Sequence, residues 1–242
     1  MTQNLEITQV GQGQPIVFIH GWGLNSGIWQ PLVDFFSQHF SVLTVDLPGF
    51  GINQKIMPAA YTLDAVSMLV HQSVLAHLQQ ESSDKSNKVV YIGWSLGGLV
   101  ATNIALNNQN DIAGLVTIAS SPKFVASKDW QGIQPLVLNA FHQQLGDDIQ
   151  KTLDGFLKIQ AMGSPHLKDD LKKIRSLIMA YPLPIKSALD SGLNLLEVTD
   201  LRDKLVEIDV PFLRLYGKLD SLVPNQVIEK ISADRNAIGF IP

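Results

Sequence analysis

Val89-Val90-Tyr91-Ile92-Gly93-Trp94-Ser95-Leu96-Gly97-Gly98 is the stretch that decides the fold. An apolar, strand-like run passes into a glycine-rich turn with one serine at its apex. Leu99-Val100-Ala101-Thr102-Asn103-Ile104-Ala105-Leu106 then continues with helix-compatible residues. Strand, Gly-x-Ser-x-Gly turn and helix, in that order, form a nucleophile elbow. The turn forces the serine into a strained conformation and projects its Oγ above the sheet. A Cβ at either flanking glycine would collide with the neighbouring strand or helix. The helix, expected over roughly Leu96 to Leu106, points its positive end at the same spot, which suits a developing oxyanion.

Working outward, Pro15-Ile16-Val17-Phe18-Ile19-His20 and Ser41-Val42-Leu43-Thr44-Val45-Asp46 are short, continuous apolar runs ending in glycine-rich loops. They read as strands buried on both faces. Trp29 to His39 between them has helical spacing, so the unit is strand-helix-strand and the strands are expected to be parallel. Leu63 to Leu78 predicts a helix with Thr62 as N-cap, Gln79 to Lys88 a polar loop, and Leu115 to Ala119 a further strand. The result is an α/β fold with a mostly parallel, doubly wound sheet, whose site lies beyond the C-terminal strand ends. His20, Asp46, Ser95 and Ser120 sit at or near such ends.

From about Lys123 to Leu195 no strand-like run occurs. Helical periodicity is broken by Gly132, Gly146, Gly163, Pro165, Pro182, Pro184 and Gly192. Residues 123–195 are therefore expected to form a cap of three or four helices inserted into a core made of residues 1–122 and 196–242. The sheet resumes at Pro211-Phe212-Leu213-Arg214-Leu215-Tyr216-Gly217.

The 242 residues carry a net charge of −4, with 45% hydrophobic and 17% charged residues. That is an ordinary globular composition, and the acidic balance argues against nucleic-acid binding. No cysteine is present, which excludes thiol chemistry and cysteine metal sites. The N-terminus shows no signal peptide and no run approaches a membrane span, so a cytoplasmic location is expected.

A serine hydroxyl attacks well only when a base takes its proton and an acid orients that base. Behind such an elbow the order is Ser, then Asp or Glu, then His. Asp220, in Gly217-Lys218-Leu219-Asp220-Ser221, follows a strand and is the candidate acid. The oxyanion donors are expected to be the backbone N–H groups of Leu96 and, from His20-Gly21-Trp22-Gly23, of Trp22. His20 precedes that loop and reads as bracing it. Gly21, Gly23 and Gly27 are spaced wrongly for a dinucleotide fingerprint. The six histidines are His20, His39, His71, His77, His142 and His166, and none follows Asp220. His39, His71 and His77 read as surface or groove residues. His142 and His166 belong to the cap, from which one could swing over Ser95.

Gly93-Trp94-Ser95-Leu96-Gly97-Gly98-Leu99-Val100-Ala101 resembles the α/β-hydrolases, and more narrowly the pimeloyl-[acyl-carrier-protein] methyl ester esterases of biotin synthesis. His20-Gly21-Trp22-Gly23, Asp46-Leu47-Pro48-Gly49-Phe50-Gly51, Ala119-Ser120-Ser121-Pro122 and the strand Pro211 to Gly217 carry the likeness further. So do Phe141 to Leu145 and Leu157 to Gly163 in the cap. The resemblance implies Ser95 as nucleophile and Asp220 as acid. It implies an acyl pocket lined by Trp22, Leu96, Phe156, Leu157, Lys158, Ile159 and Gln160, with no cofactor and no metal. The implied partner is an acyl-carrier protein bearing a pimeloyl methyl ester, the enzyme being a monomer. In the family the histidine follows the acid by roughly 25 to 30 residues. This chain departs there, since Ile231 to Pro242 drifts from the pattern. The expectation is that the last strand and closing helix are truncated and activity is lowered.

Residues 123–195 hold nine Lys or Arg against seven Asp, a net of +2, leaving −6 for the remainder. A cap more basic than its base suits docking of an acidic carrier. Lys151, Lys168 and Lys172 match basic positions of the family. A general short-chain esterase and a weakly active or non-catalytic protein that binds acyl groups or a carrier are the alternative readings.

Overall fold

A computed structural model of the protein describes residues 3–81, 88–162, 164, 166–231 and 236–241. Its strands are β1 (Ile7–Val10), β2 (Pro15–Ile19), β3 (Ser41–Val45), β4 (Val89–Trp94), β5 (Ile112–Ile118), β6 (Phe212–Gly217) and β7 (Asn236–Ile241). They form one sheet in the order β1-β3-β2-β4-β5-β6-β7. Only β1 is antiparallel to its neighbour; the other pairings are parallel. The helices are α1 (Gln30–Phe36), α2 (Leu63–Glu81), α3 (Leu96–Asn107), α4 (Pro135–Asp147), α5 (Ile149–Gln160), α6 (Leu167–Ile178) and α7 (Lys186–Val198).

The unbroken apolar strands follow from burial on both sides. Val17, Ile19, Leu43, Val45, Tyr91 and Leu115 pack in one cluster with Val66 and Leu69 of α2 and Leu99 and Val100 of α3. Ile16, Phe18 and Val42 pack with Trp29 and Val33 on the side of α1. Each fully buried Leu or Val contributes about 1.5–3 kcal/mol, so the strand order is fixed by which runs can be covered twice.

Several elements differ from expectation. β7 forms, pairing in parallel with β6 from Phe212↔Asn236 to Gly217↔Ile241, so the last strand is not lost. The apolar residues Ala237-Ile238-Gly239-Phe240-Ile241 fill an edge that β6 would otherwise leave unpaired; the polar residues before them hide the strand in the sequence. β1, four residues alternating in burial, was not expected. Helix α1 is shorter than Trp29 to His39, and α2 runs on through Gln79 to Glu81. Residues 82–87 of the expected polar loop, and the expected breaks Gly163 and Pro165, lie outside the described residues. So do residues 232–235 and 242 of the stretch that drifts from the family pattern.

Four helices, α4 to α7, stand between β5 and β6. Lone bridges Val125↔Ile133 and Ser127↔Trp130 precede them. Helix α7 crosses the boundary expected at Leu195. Its Gly192 sits against the Trp22 ring, where a Cβ would come within 2.8 Å of Cδ1. Phe156 of α5 packs edge-on against the same ring, with centroids 4.7 Å apart. The Trp22 ring is thus one contact between these helices and the loop after β2, beside the packing of Leu24 with Leu157 and Leu171 and the bond from Asn25 Nδ2 to Ile178 O.

Candidate active site

Ser95 stands between β4 and α3 with φ +54° and ψ −118°. A non-glycine residue held there costs on the order of 1–2 kcal/mol, so the surroundings must hold it. Its N–H donates to Ile118 O at 2.9 Å. Its carbonyl accepts from Gly98 N at 2.9 Å, from Leu99 N at 3.3 Å and from Ser120 Oγ at 2.8 Å. A Cβ on Gly97 would fall onto the carbonyls of Ile19 and His20. The start of α3 is therefore pressed against the end of β2, and glycine is required.

That contact brings two loops together. Gly21 lies so close to the nucleophile that a Cβ there would be 3.3 Å from Ser95 Cβ. Leu96 opens α3, so its amide has no carbonyl one turn back. Neither its N–H nor that of Trp22 has an acceptor among the described residues. The Trp22 side chain is turned away: its Nε1 donates to Leu189 O at 2.9 Å and its ring is fully buried.

Asp220 follows β6. Its Oδ1 accepts from Leu222 N at 2.8 Å and Val223 N at 2.9 Å. Burial pushes its carboxyl above the usual carboxylate range, against the opposing pull of those two amides. Ser95 and Asp220 line the same cavity of about 930 Å³. Its apolar wall includes Ile28, Trp94, Ile118, Ile174 and Leu177, and Ile241 at the end of β7 also lines it.

The raised value carries a stability prediction. A carboxyl that binds its proton more tightly when folded costs stability wherever it is ionised, and the cost is relieved as pH falls through the folded value. Asp220→Asn keeps an oxygen for both amides and removes the buried charge. It is expected to raise the melting temperature at neutral pH, and the gain is expected to vanish near pH 4. Paired thermal melts at the two pH values check this; a lower melting temperature for Asp220→Asn at pH 7 refutes it.

Of the five successive positions Phe156 to Gln160, the cavity takes only Gln160. Phe156 is buried against Trp22 and Phe141, and Leu157 packs with Leu24 and Leu171. Lys158 is exposed, and Ile159 packs against the main core. A helix turns 100° per residue, so five consecutive residues cannot share one wall. Gln160 Oε1 is buried without a hydrogen-bond partner among the described residues. Lys151, Lys168 and Lys172 are exposed on α5 and α6. The cavity wall from α6 was not anticipated; its signal is the pair Ile174 and Leu177, three residues apart on one helix face.

No described histidine lines the cavity that Ser95 borders. His142 lies between Asp190 at 3.6 Å and Glu197 at 3.7 Å rather than over Ser95, and His166 is exposed at the start of α6. His71, expected in a surface or groove position, is buried against the Tyr91 hydroxyl at 2.9 Å. His77 binds Gln9 Oε1 at 2.9 Å, and His39 is exposed. His20 is fully buried. Its Nδ1 is 2.8 Å from Gly21 O and its Nε2 accepts from Leu47 N at 3.0 Å. Burial holds its pKa below the usual value, opposed by Asp46 and the Gly21 carbonyl. It is therefore a neutral ring at neutral pH.

The sequence pattern of the alpha/beta hydrolase fold family matches residues 14–240. The chain belongs to the α/β-hydrolase family. It is 43% identical to the pimeloyl-[acyl-carrier protein] methyl ester esterase of Vibrio cholerae, over 96% of this chain and 86% of that protein. It is also 43% identical to the protein of the same name from Pseudoalteromonas atlantica, over 100% of this chain and 91% of that one. An esterase from Exiguobacterium antarcticum shares the fold at a TM-score of 0.84, with 21% identity, 98% of this chain and 87% of that one covered. In this α/β-hydrolase the elbow serine and the half-buried carboxyl of Asp220 border one largely apolar cavity. No helix among the described residues is long and apolar enough to cross a membrane.

Proposed function

We propose that this chain is a serine carboxylesterase acting on the methyl ester of a pimeloyl chain carried by acyl-carrier protein. The observation that carries the proposal is Ser95 at the elbow, sharing a cavity with Asp220. The activity borne by relatives 43% identical over nearly the whole chain supports it.

Ser95 Oγ attacks the ester carbonyl, and the carbonyl oxygen takes the negative charge. The amides of Trp22 and Leu96 hold that oxygen, each contributing on the order of 3 kcal/mol. Collapse expels the methoxy group, which leaves as methanol with the serine's proton, and an acyl-serine remains. Water then attacks the acyl-serine, giving the free carboxylate and restoring the hydroxyl. Asp220 serves to orient and stabilise a cationic base. None of the histidines lines the cavity among the described residues. The apolar wall suits a methylene chain. Exposed Lys151, Lys168 and Lys172 suit an acidic carrier. The enzyme acts as a monomer in the cytoplasm.

A cavity with no histidine among its described lining residues favours one second reading, a protein that binds acylated carrier without hydrolysing it. Carrier protein loaded with the pimeloyl methyl ester, incubated with the protein and imidazole, separates the readings. The expected result is loss of the methyl group by mass spectrometry, faster than hydrolysis of a p-nitrophenyl acetate standard relative to each ester's background. Equal enhancement for both esters would leave a general short-chain esterase. Binding without demethylation would leave the non-catalytic reading.

A further inference from the structure

The two amides assigned to the oxyanion share a feature that the catalytic scheme does not use. A peptide group is planar, so the Gly21 carbonyl and the Trp22 N–H lie in one plane, and the Ser95 carbonyl and the Leu96 N–H in another. Each of those carbonyls meets a buried side-chain donor: His20 Nδ1 at 2.8 Å from Gly21 O, and Ser120 Oγ at 2.8 Å from Ser95 O. We infer that His20 and Ser120 are positioning residues that fix and polarise the two peptide groups whose N–H bonds receive the oxyanion. This rests on the proposed roles of Trp22 and Leu96.

The proton on His20 follows from its surroundings. Leu47 N–H donates to Nε2, so Nε2 presents a lone pair and the neutral ring carries its proton on Nδ1. Nδ1 therefore donates to the Gly21 carbonyl, which also accepts a longer bond from Leu24 N at 3.3 Å. A donor on the carbonyl oxygen draws density from the nitrogen and strengthens the N–H across the same peptide. In hydrogen-bonded chains the gain is perhaps 10–30% per bond.

Ser120 is delivered with comparable specificity. Ala119, at φ +45°, turns the chain sharply after β5, and its N–H donates to Leu215 O of β6 at 2.8 Å. A Cβ on Gly98 would overlap the Ser120 side chain, so that glycine admits the hydroxyl. The Ser95 carbonyl already has the two amides of α3; Ser120 adds a third donor from a different element. The same turn takes the Ser95 N–H through Ile118 O. Strain at Ala119 thus serves a stated geometric purpose.

Ser120→Ala in ¹⁵N-labelled protein is the test, because Ser95 O keeps two donors and the fold is expected to survive. The Leu96 nitrogen resonance is expected to move while that of Trp22 stays. Phosphonylation of Ser95 by a fluorophosphonate, with imidazole present, is expected to slow about tenfold, short of the ~10²–10³ lost with an oxyanion donor itself. The melting temperature is expected to fall by no more than about 4 °C. An unmoved Leu96 resonance or an unchanged rate would overturn the Ser120 assignment. His20→Asn, which keeps a donor where Nδ1 stands, is expected to hold the Trp22 resonance near its parent position, and His20→Gln to displace it. A Trp22 resonance indifferent to His20→Gln overturns the other half. If the unsubstituted protein never phosphonylates at Ser95, the esterase reading fails, and the two resonances still decide between the positioning bonds and their absence.

Discussion

Imidazole added to the protein is expected to accelerate ester hydrolysis about 10²-fold, and Ser95→Ala to remove that acceleration entirely. The figure is the lower end of what a positioned general base contributes. The reasoning starts from non-additivity. A serine and its base act as one unit, so removing either costs about as much as removing both. With no histidine lining the cavity among the described residues, Ser95→Ala alone is expected to change the uncatalysed background little. The serine's contribution becomes visible only when a base is supplied. The cavity of about 930 Å³ has room for imidazole beside substrate, and Asp220 borders it with Oδ2 not engaged by the amides that bind Oδ1. The measurement is the initial rate of p-nitrophenyl ester hydrolysis against imidazole concentration, corrected for imidazole alone, in both proteins. Equal imidazole dependence in both would remove Ser95 from the mechanism. A flat dependence in both would leave only the binding role.

The second large effect concerns folding. Gly97→Ala is expected to destabilise the protein by about 3 kcal/mol, the upper end for forcing one extra carbon into a packed interior. The added Cβ would meet the backbone carbonyls of Ile19 and His20. Backbone yields less easily than a side-chain tip, so either α3 or the end of β2 must move. Those are the elements that present Leu96 and Trp22. For a chain of this size 3 kcal/mol corresponds to about 6–12 °C in melting temperature. Thermal melts check the stability, and phosphonylation of Ser95 below the transition checks the site. A melting temperature within about 2 °C of the parent would show that the β2–α3 contact is looser than the geometry requires.

Legibility in the sequence tracked the range of the forces involved. The elbow was readable because its demands are local: a serine that must be strained, glycines that must lack Cβ, and an apolar strand immediately before them. The parallel sheet was readable because burial on two faces leaves continuous runs such as Pro15 to Ile19 and Ser41 to Val45. β7 was obscured by polar residues before it, and its pairing depends on the free edge of β6, which no local pattern reports. His71 looked like a groove residue because nothing nearby in sequence announces Tyr91 or Asp111 as partners.

The sequence by itself therefore determined the fold class, the strained serine and the carboxyl at the end of the sixth strand. Each follows from residue type and spacing over a few positions. Tertiary structure alone decided which of Phe156 to Gln160 faces the cavity, where each described histidine sits, and which side chains hold the peptide groups of Trp22 and Leu96. Those outcomes depend on which surfaces meet when distant elements pack, since desolvation and van der Waals contact select partners by proximity in space rather than along the chain.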